Sequence, residues 1–251
     1  MNRNKDCSEK GERIAKHIAA SGLCSRRDAE KMIADRRVAI NGQVLDTPAC
    51  FVRPEDIILV DGNPLPERSD VKVFLYYKPA GLITTHKDEK ARKTVFDSLP
   101  GNMPRVVSVG RLDIATEGLL ILTTSGELER YLESPQTGWL RRYRVRVYGK
   151  VNEDSLKKLK KGITIDGVKY GGLDITVDTV QNANAWLTIS LREGKNREIR
   201  KVMGATGLQV NRLIRTSYGP FQLGKMTKGS VREVPQKILK EQIPGFFRGR
   251  S

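Results

Sequence analysis

The stretch that decides the fold runs from Gly110 to Leu128, GRLDIATEGLLILTTSGEL. Its apolar run, Leu119 to Leu122, reads as a compact buried strand. On the C-terminal side, TTSGEL offers a Thr/Ser cap and Glu127 to open a helix. On the N-terminal side, a Gly-Arg-Leu turn sets Asp113 in the loop that leads into the strand, and Glu117 follows four residues later. Carboxylates in loops beside a buried sheet are placed to react or to bind. A partly buried Asp113 needs a cation or hydrogen-bond donors to stay ionised, and the chain is rich in arginines that could serve.

Outward from this strand the sequence reads as mixed α/β. KVFLYYKP (72–79) and RRYRVRVYG (141–149) predict strands, the second with Tyr143, Val145 and Val147 alternating with Arg144, Arg146 and Tyr148. EDSLKKLKKG (153–162) is a short helix closed by Gly162, and AWLTISLREG (185–194) is a strand. KNREIRKVMGATG (195–207) is a basic helix stopping at Gly204 or Gly207, and VNRLIRTSYGPFQLG (210–224) brings a further strand.

The N-terminal part has a different texture. Residues 1–10 are polar and expected to be loose. ERIAKHIAA (12–20) places Ile14, Ala15 and Ile18 at helical spacing, and Gly22 ends that helix. Ser25 with Asp28 forms a capping box for a second helix, whose buried face is Ala29, Met32 and Ile33. VAINGQV (38–44) centres on Asn41-Gly42, a strong hairpin signal. Residues 11–62 therefore read as one small domain, 63–70 within DGNPLPERSD as the linker, 71–240 as the main domain, and 241–251 as a short basic tail. Arg26 and Arg27 sit in the first turn of the second helix, where the dipole disfavours cations but free N–H groups welcome anions, so they predict a phosphate seat.

The composition narrows the function. No apolar run approaches the roughly 20 residues that span a bilayer, and the N-terminus is not a signal peptide. Three cysteines without Cys-x-x-Cys spacing favour a reducing compartment, and two histidines argue against a metal site. The expectation is a cytoplasmic protein with no metal and no membrane partner. The formal net charge is +16. Residues 1–70 balance 12 basic against 12 acidic side chains, whereas 71–251 hold 33 against 17, and 191–251 alone 14 against 4. That asymmetry predicts a polyanion, read here as nucleic acid, lying against the C-terminal third. On the motif alone, Asp113 is open to three readings. It could be a structural loop acid, or half of a glycosidase pair with Glu117, a weak reading given 6% aromatic residues. It could also serve another chemistry.

That third reading comes from resemblance. SRRDAEKMIADRRVAINGQVL (25–45) resembles the RNA-binding module named after small-subunit ribosomal protein S-four, which implies that Arg26, Arg27, Lys31 and Arg37 touch structured RNA. GRLDIATEGLLILTTSGEL, YYKPAGLITT, RRYRVRV, EGKNREIRKVM and VNRLIRTSYGPFQLG are similar, in that order, to the blocks of the RsuA/RluB family of ribosomal RNA pseudouridine synthases. The sequence departs from that pattern at Ala115, where Asn is frequent, at Glu198, where Gln is usual, and at Lys201, where a second Arg is usual. The resemblance implies an α+β protein: a small S-four-like domain followed by a mixed, largely antiparallel sheet flanked by helices. It implies a monomeric isomerase without a cofactor, acting on a uridine of ribosomal RNA, naked or in a precursor particle. Asp113 would be the catalytic acid, attacking sugar or base covalently or removing a ribose proton. Arg200 would be its partner and Tyr143 would stack on the flipped base. Arg111, Leu112, Ile199 and Leu213 would line the pocket. Lys78, Lys195, Asn196, Arg197, Arg212 and Arg215 would hold RNA. PQTGWLRRYRVRVYG (135–149) looks closer to large-subunit relatives; a small-subunit enzyme and a non-catalytic ribosome-assembly protein are the alternatives.

Overall fold

The computed structural model describes residues 11–68 and 70–248, so the expected loose N-terminus and the last three residues of the tail lie outside the described residues. The chain divides into two compact units. The first comprises the chain up to Val71 with Met103–Val106 and Thr124–Gly126; the second comprises the remainder.

In the first unit, β1 (Glu12–Arg13) leads into α1 (Ile14–Ala20) and α2 (Arg26–Ala34). The helix expected from Glu12 begins at Ile14 because Glu12 and Arg13 pair with Val52 and Phe51 of β4 (Phe51–Val52). Ser25 caps α2: its hydroxyl accepts from Asp28 N–H at 3.0 Å, and the Asp28 carboxylate accepts from Ser25 N–H at 3.3 Å. β2 (Val38–Ile40) and β3 (Gln43–Val44) form the Asn41-Gly42 hairpin, with φ of 49° and 83° at its two central residues. Asp61-Gly62 makes the same turn, at 51° and 78°, between β5 (Ile58–Val60) and β6 (Asn63–Pro64). The linker expected from residue 63 therefore starts as a strand, because Asp-Gly is as good a hairpin dipeptide as Asn-Gly. The four strands run β3-β2-β5-β6. Ile14, Ile18, Ala29, Ile33, Val38 and Val60 are among the residues that fill the core beneath them. Cys24 is a free thiol, half-buried beside Met32.

The second unit is built on one mixed sheet. Its strands are β7 (Val73–Lys78), β8 (Val107–Val109), β9 (Thr116–Thr123), β10 (Arg141–Tyr148), β13 (Asp174–Gln181), β14 (Asn184–Leu191), β15 (Gln209–Tyr218), β16 (Phe221–Gln222) and β17 (Val231–Glu233). A separate hairpin joins β11 (Ile163–Ile165) to β12 (Val168–Tyr170). The order is β13-β14-β10-β15-β9-β7-β17, with β8 on β9 and β16 on β15. Of these pairings only β15 with β9 is parallel, in the register Leu213↔Thr116 and Arg215↔Gly118. Gly118 is required there: it has φ 104°, and a Cβ would stand 2.3 Å from the carbonyl oxygen of Arg215. The helices are α3 (Gly126–Glu133), α4 (Glu153–Lys158), α5 (Glu198–Ala205), α6 (Gln236–Gln242) and α7 (Pro244–Phe247).

The alternation in β10 sorts its side chains by face. Tyr143, Val145 and Val147 join Leu187 and Ile189 of β14 and Ile199, Val202 and Met203 of α5 in the core. Arg142, Arg144 and Arg146 point the other way and are exposed. The protein is thus an α+β fold with a mixed, largely antiparallel sheet. Among the described residues, no helix is long and apolar enough to cross a membrane.

Candidate active site

Asp113 lies on the loop between β8 and β9, and what fixes this loop is its backbone. Lys78, at the end of β7, is fully buried, and its ammonium donates to the carbonyls of Pro79, Asp113 and Thr116 at 3.1, 3.1 and 2.9 Å. Three N–H groups meet three oxygens, so the cation is satisfied without a carboxylate. Burial lowers its pKa to about 8, against the pull of Asp113 and Glu117. Thr84 clamps Leu112 from the side, donating to its carbonyl at 3.0 Å and accepting from its N–H at 3.4 Å. Gly81 N–H donates to Ile114 O at 2.7 Å. The Asp113 side chain keeps 32% of its surface exposed.

The guanidinium within ion-pair reach of Asp113 belongs to Arg197, at 3.7 Å. Arg197 is the N-cap of α5 and has left-handed backbone, φ 51° and ψ 30°. Arg200, expected on the carboxylate, instead donates to Ala115 O at 3.3 Å and to Val210 O at 2.9 Å. It thereby ties the Asp113 loop to the start of β15. These two carbonyls engage both terminal nitrogens of its guanidinium, and the ion pair within reach of Asp113 is left to Arg197. Burial and the neighbouring Arg197 charge lower the Arg200 pKa, partly offset by Asp113.

The apolar residues assemble as a group. Tyr143, Ile199 and Leu213 belong to one buried cluster, with Tyr143 9% exposed, and Leu213 is in register with Thr116 at the entry of β9. Leu112 is also buried, while Arg111 and Asn196 are exposed. Four of the expected RNA contacts are otherwise engaged. Lys78 is sealed under the Asp113 loop. Arg215 is 3% exposed, donates to Leu119 O at 2.7 Å and lies over the Tyr218 ring. The Lys195 ammonium binds Glu193 Oε2 at 2.6 Å and Lys169 O at 2.7 Å. Arg212 forks onto Glu117 at 2.8 and 3.1 Å, and Lys228 joins the same carboxylate at 2.7 Å. Those two cations hold the Glu117 pKa down. Glu117 is thus a structural acid, not a second reacting carboxylate for Asp113. In the first unit Arg27 and Lys31 are exposed, Arg26 pairs with Glu30 at 3.5 Å, and Arg37 pairs with Asp61 at 2.6 Å. A basic face not among the expected RNA contacts is formed by Arg142, Arg144 and Arg146, which lack an acidic partner among the described residues; Arg144 lies 4.7 Å over the Trp186 ring. The alternation in RRYRVRV already carried that signal.

A backbone-anchored acid within ion-pair reach of the Arg197 guanidinium, on a loop leading into the strand that Leu213 of the Tyr143 cluster faces in register, suits covalent or acid–base chemistry on a flat ring drawn from its stack. The model of the family described as RNA pseudouridylate synthase matches residues 72–205, and the S4 domain model matches residues 12–58. The chain belongs to the RNA pseudouridylate synthase family. It is 46% identical over 230 residues to a protein of Rickettsia bellii named as an uncharacterized RNA pseudouridine synthase, covering 91% of this chain and 99% of that one. It is 41% identical to the ribosomal large subunit pseudouridine synthase B of Pasteurella multocida, covering 86% of this chain and 64% of that one. The corresponding Yersinia pestis protein is 38% identical, with 90% and 74% covered. A solved pseudouridylate synthase shares the fold, at TM-score 0.65 and 24% identity over 93% of this chain and all of that one. The pseudouridine synthase match spans the Asp113 loop, Tyr143 and α5, and the S4 match runs from β1 to the first residue of β5.

Proposed function

We propose that the protein converts a uridine of large-subunit ribosomal RNA into pseudouridine, with Asp113 as the reacting acid. The observation that carries this is the Asp113 loop, held by Lys78 and Thr84 so that the acid is presented beside Arg197, in a chain of the pseudouridylate synthase family. Large-subunit specificity is taken from the relatives of Pasteurella and Yersinia, whose names assign them to that subunit. In the reaction the bond between N1 and the ribose carbon breaks, the base turns, and C5 bonds to the same carbon. The C5 proton leaves to solvent and N1 ends protonated. Tyr143 stacks on the turned base, with Ile199 and Leu213 as its apolar wall. Arg197 offsets the Asp113 charge, and Arg200 keeps the loop in place. The exposed Arg27, Lys31, Arg142, Arg144 and Arg146 are among the cations open to phosphates. No cofactor takes part, and the protein works as a cytoplasmic monomer.

The test is tritium release from ribosomal RNA labelled at uracil C5, with the two subunit RNAs assayed separately. Wild type is expected to release label from large-subunit RNA, and Asp113→Asn to release none while binding RNA within a few-fold. Turnover by Asp113→Asn removes the catalytic role of Asp113. Release from small-subunit RNA alone moves the substrate to the other subunit.

A further inference from the structure

The turn that delivers Arg197 is strained, and something must hold it. A non-glycine residue in left-handed backbone costs on the order of 1–3 kcal/mol unless its surroundings over-determine it. Arg197 occupies that region and has no side-chain cap on α5. Beside it is a pair of carboxyl groups that the reaction does not use. Glu198 is 4% exposed. Its Oε2 accepts from Lys195 N–H at 2.9 Å, across the turn. Its Oε1 is buried and receives no donor. Glu193, two residues past the end of β14, is the acidic neighbour that raises the Glu198 pKa, and it binds the ammonium of the same Lys195. Glu193 is well supplied: Oε1 accepts from Gly171 N–H, and Oε2 accepts from the Lys195 ammonium at 2.6 Å.

Two carboxyl groups in contact cannot both be ionised at low cost, so the pair shares one proton. Glu193 has an ammonium and an amide to stabilise its charge; Glu198 has one amide. Glu198 Oε1, buried and without a donor, is therefore the place for that proton. We infer that Glu198 is a positioning residue: as a neutral acid it bridges the Lys195 amide and the Glu193 carboxylate, and so holds the Gly194–Arg197 turn with Arg197 facing Asp113. The inference rests on Asp113 being the reacting acid.

Other groups face this bridge. Lys195 belongs to the turn itself, and its ammonium lies 5.7 Å over the Tyr170 ring. From β10, Arg141 donates to Arg192 O at 2.7 Å and to Glu193 O at 3.3 Å. None of these supplies a donor to Glu198 Oε1. The directions agree with the geometry: burial and Glu193 raise the Glu198 pKa to about 8, while Glu198, then Gly171 and Lys195, lower that of Glu193 against its burial. Above that pH the two carboxylates repel, the bridge opens and Arg197 leaves Asp113.

The experiment compares kcat/KM of wild type and Glu198→Gln on C5-labelled ribosomal RNA from pH 6.5 to 9. The amide keeps both hydrogen bonds and does not ionise. Lys78 also titrates near pH 8, but it is present in both proteins, so the ratio of variant to wild type removes it. The ratio is expected to stay near unity below pH 7 and to reach about tenfold at pH 9, one unit above the Glu198 titration. Glu193→Gln, which removes the repulsion from the other side, should give the same rise. Glu198→Ala should lose kcat at every pH with KM little changed. A flat ratio in both amide variants, or a fully active Glu198→Ala, overturns the inference. Activity in Asp113→Asn would instead overturn the reading beneath it.

Discussion

Lys78 shows how one side chain can set the geometry of a loop it does not belong to. Its ammonium holds three carbonyls, two of them inside the Asp113–Thr116 segment. Lys78→Met keeps the stem and removes the donors, leaving those carbonyls without their partner at about 1–3 kcal/mol for each buried group. A loop displaced by an ångström costs about 10²-fold in rate, so single-turnover rates should fall by about that factor, with a lower Tm. A rate within fivefold of wild type would show that Lys78 is not what holds the loop. The pH dependence has a definite sign. The folded pKa, about 8, is below the unfolded value of about 10.5. Between these the unfolded chain binds more protons, so the penalty for burying the charge lifts as pH rises. In the same window the loop loses its ammonium. The contribution of Lys78 to stability should therefore rise above pH 8 while turnover falls, a divergence that denaturant midpoints and rates taken in one buffer series would reveal.

At the level of elements, the parallel approach of β9 and β15 places Leu213 beside the entry of β9 and fixes where Asp113 begins. Gly118 makes that approach possible. Gly118→Ala would drive a methyl into the Arg215 backbone at positive φ, and should cost about 3 kcal/mol or more, read as a fall in the urea midpoint with m unchanged. A midpoint within error of wild type would mean that the two strands can separate without loss. The elements themselves were largely legible in the sequence. LLIL, RRYRVRV and AWLTISL give their strands by pattern, and Ser25 and Asn41-Gly42 give their cap and hairpin by residue type. The hairpin β5–β6 is not legible in this way, because the prolines, glycine and charges of DGNPLPERSD read as a linker. The site divides in the same way. Asp113 stands out because a loop acid before a buried strand has few structural uses. Its nearest cation does not, since whether Arg197 or Arg200 faces it depends on one backbone angle at Arg197, and periodicity carries no information about αL residues. Lys78 and Arg215 look like phosphate ligands in sequence because charge there is visible and burial is not.

Across the whole molecule the charge is placed unevenly. The excess of +16 falls beyond residue 70, yet several of its members are spent inside the protein, on Glu117, Glu193 and the backbone. What faces solvent is better counted by surface than by composition. On β10, Arg142, Arg144 and Arg146 stand at alternate positions on the open face of the sheet, and Arg146 lies directly opposite Arg212. Like charges opposed across a ladder are unfavourable, and Arg212 is neutralised by Glu117, which leaves the three β10 arginines as cations available to RNA. Each phosphate they neutralise releases counterions, so the slope of log K against log salt reports their number. Replacing all three with Gln should weaken RNA binding and reduce that slope by roughly two to three. Arg26→Ala with Arg27→Ala, in the S4 unit, should reduce it by up to roughly two. The two sets belong to different compact units, so the combined variant should show the sum. Filter binding from 50 to 300 mM salt decides the matter: an unchanged slope in the triple variant would leave the open face as solvated surface, and RNA contact would then rest on the S4 unit and the Asp113 region alone.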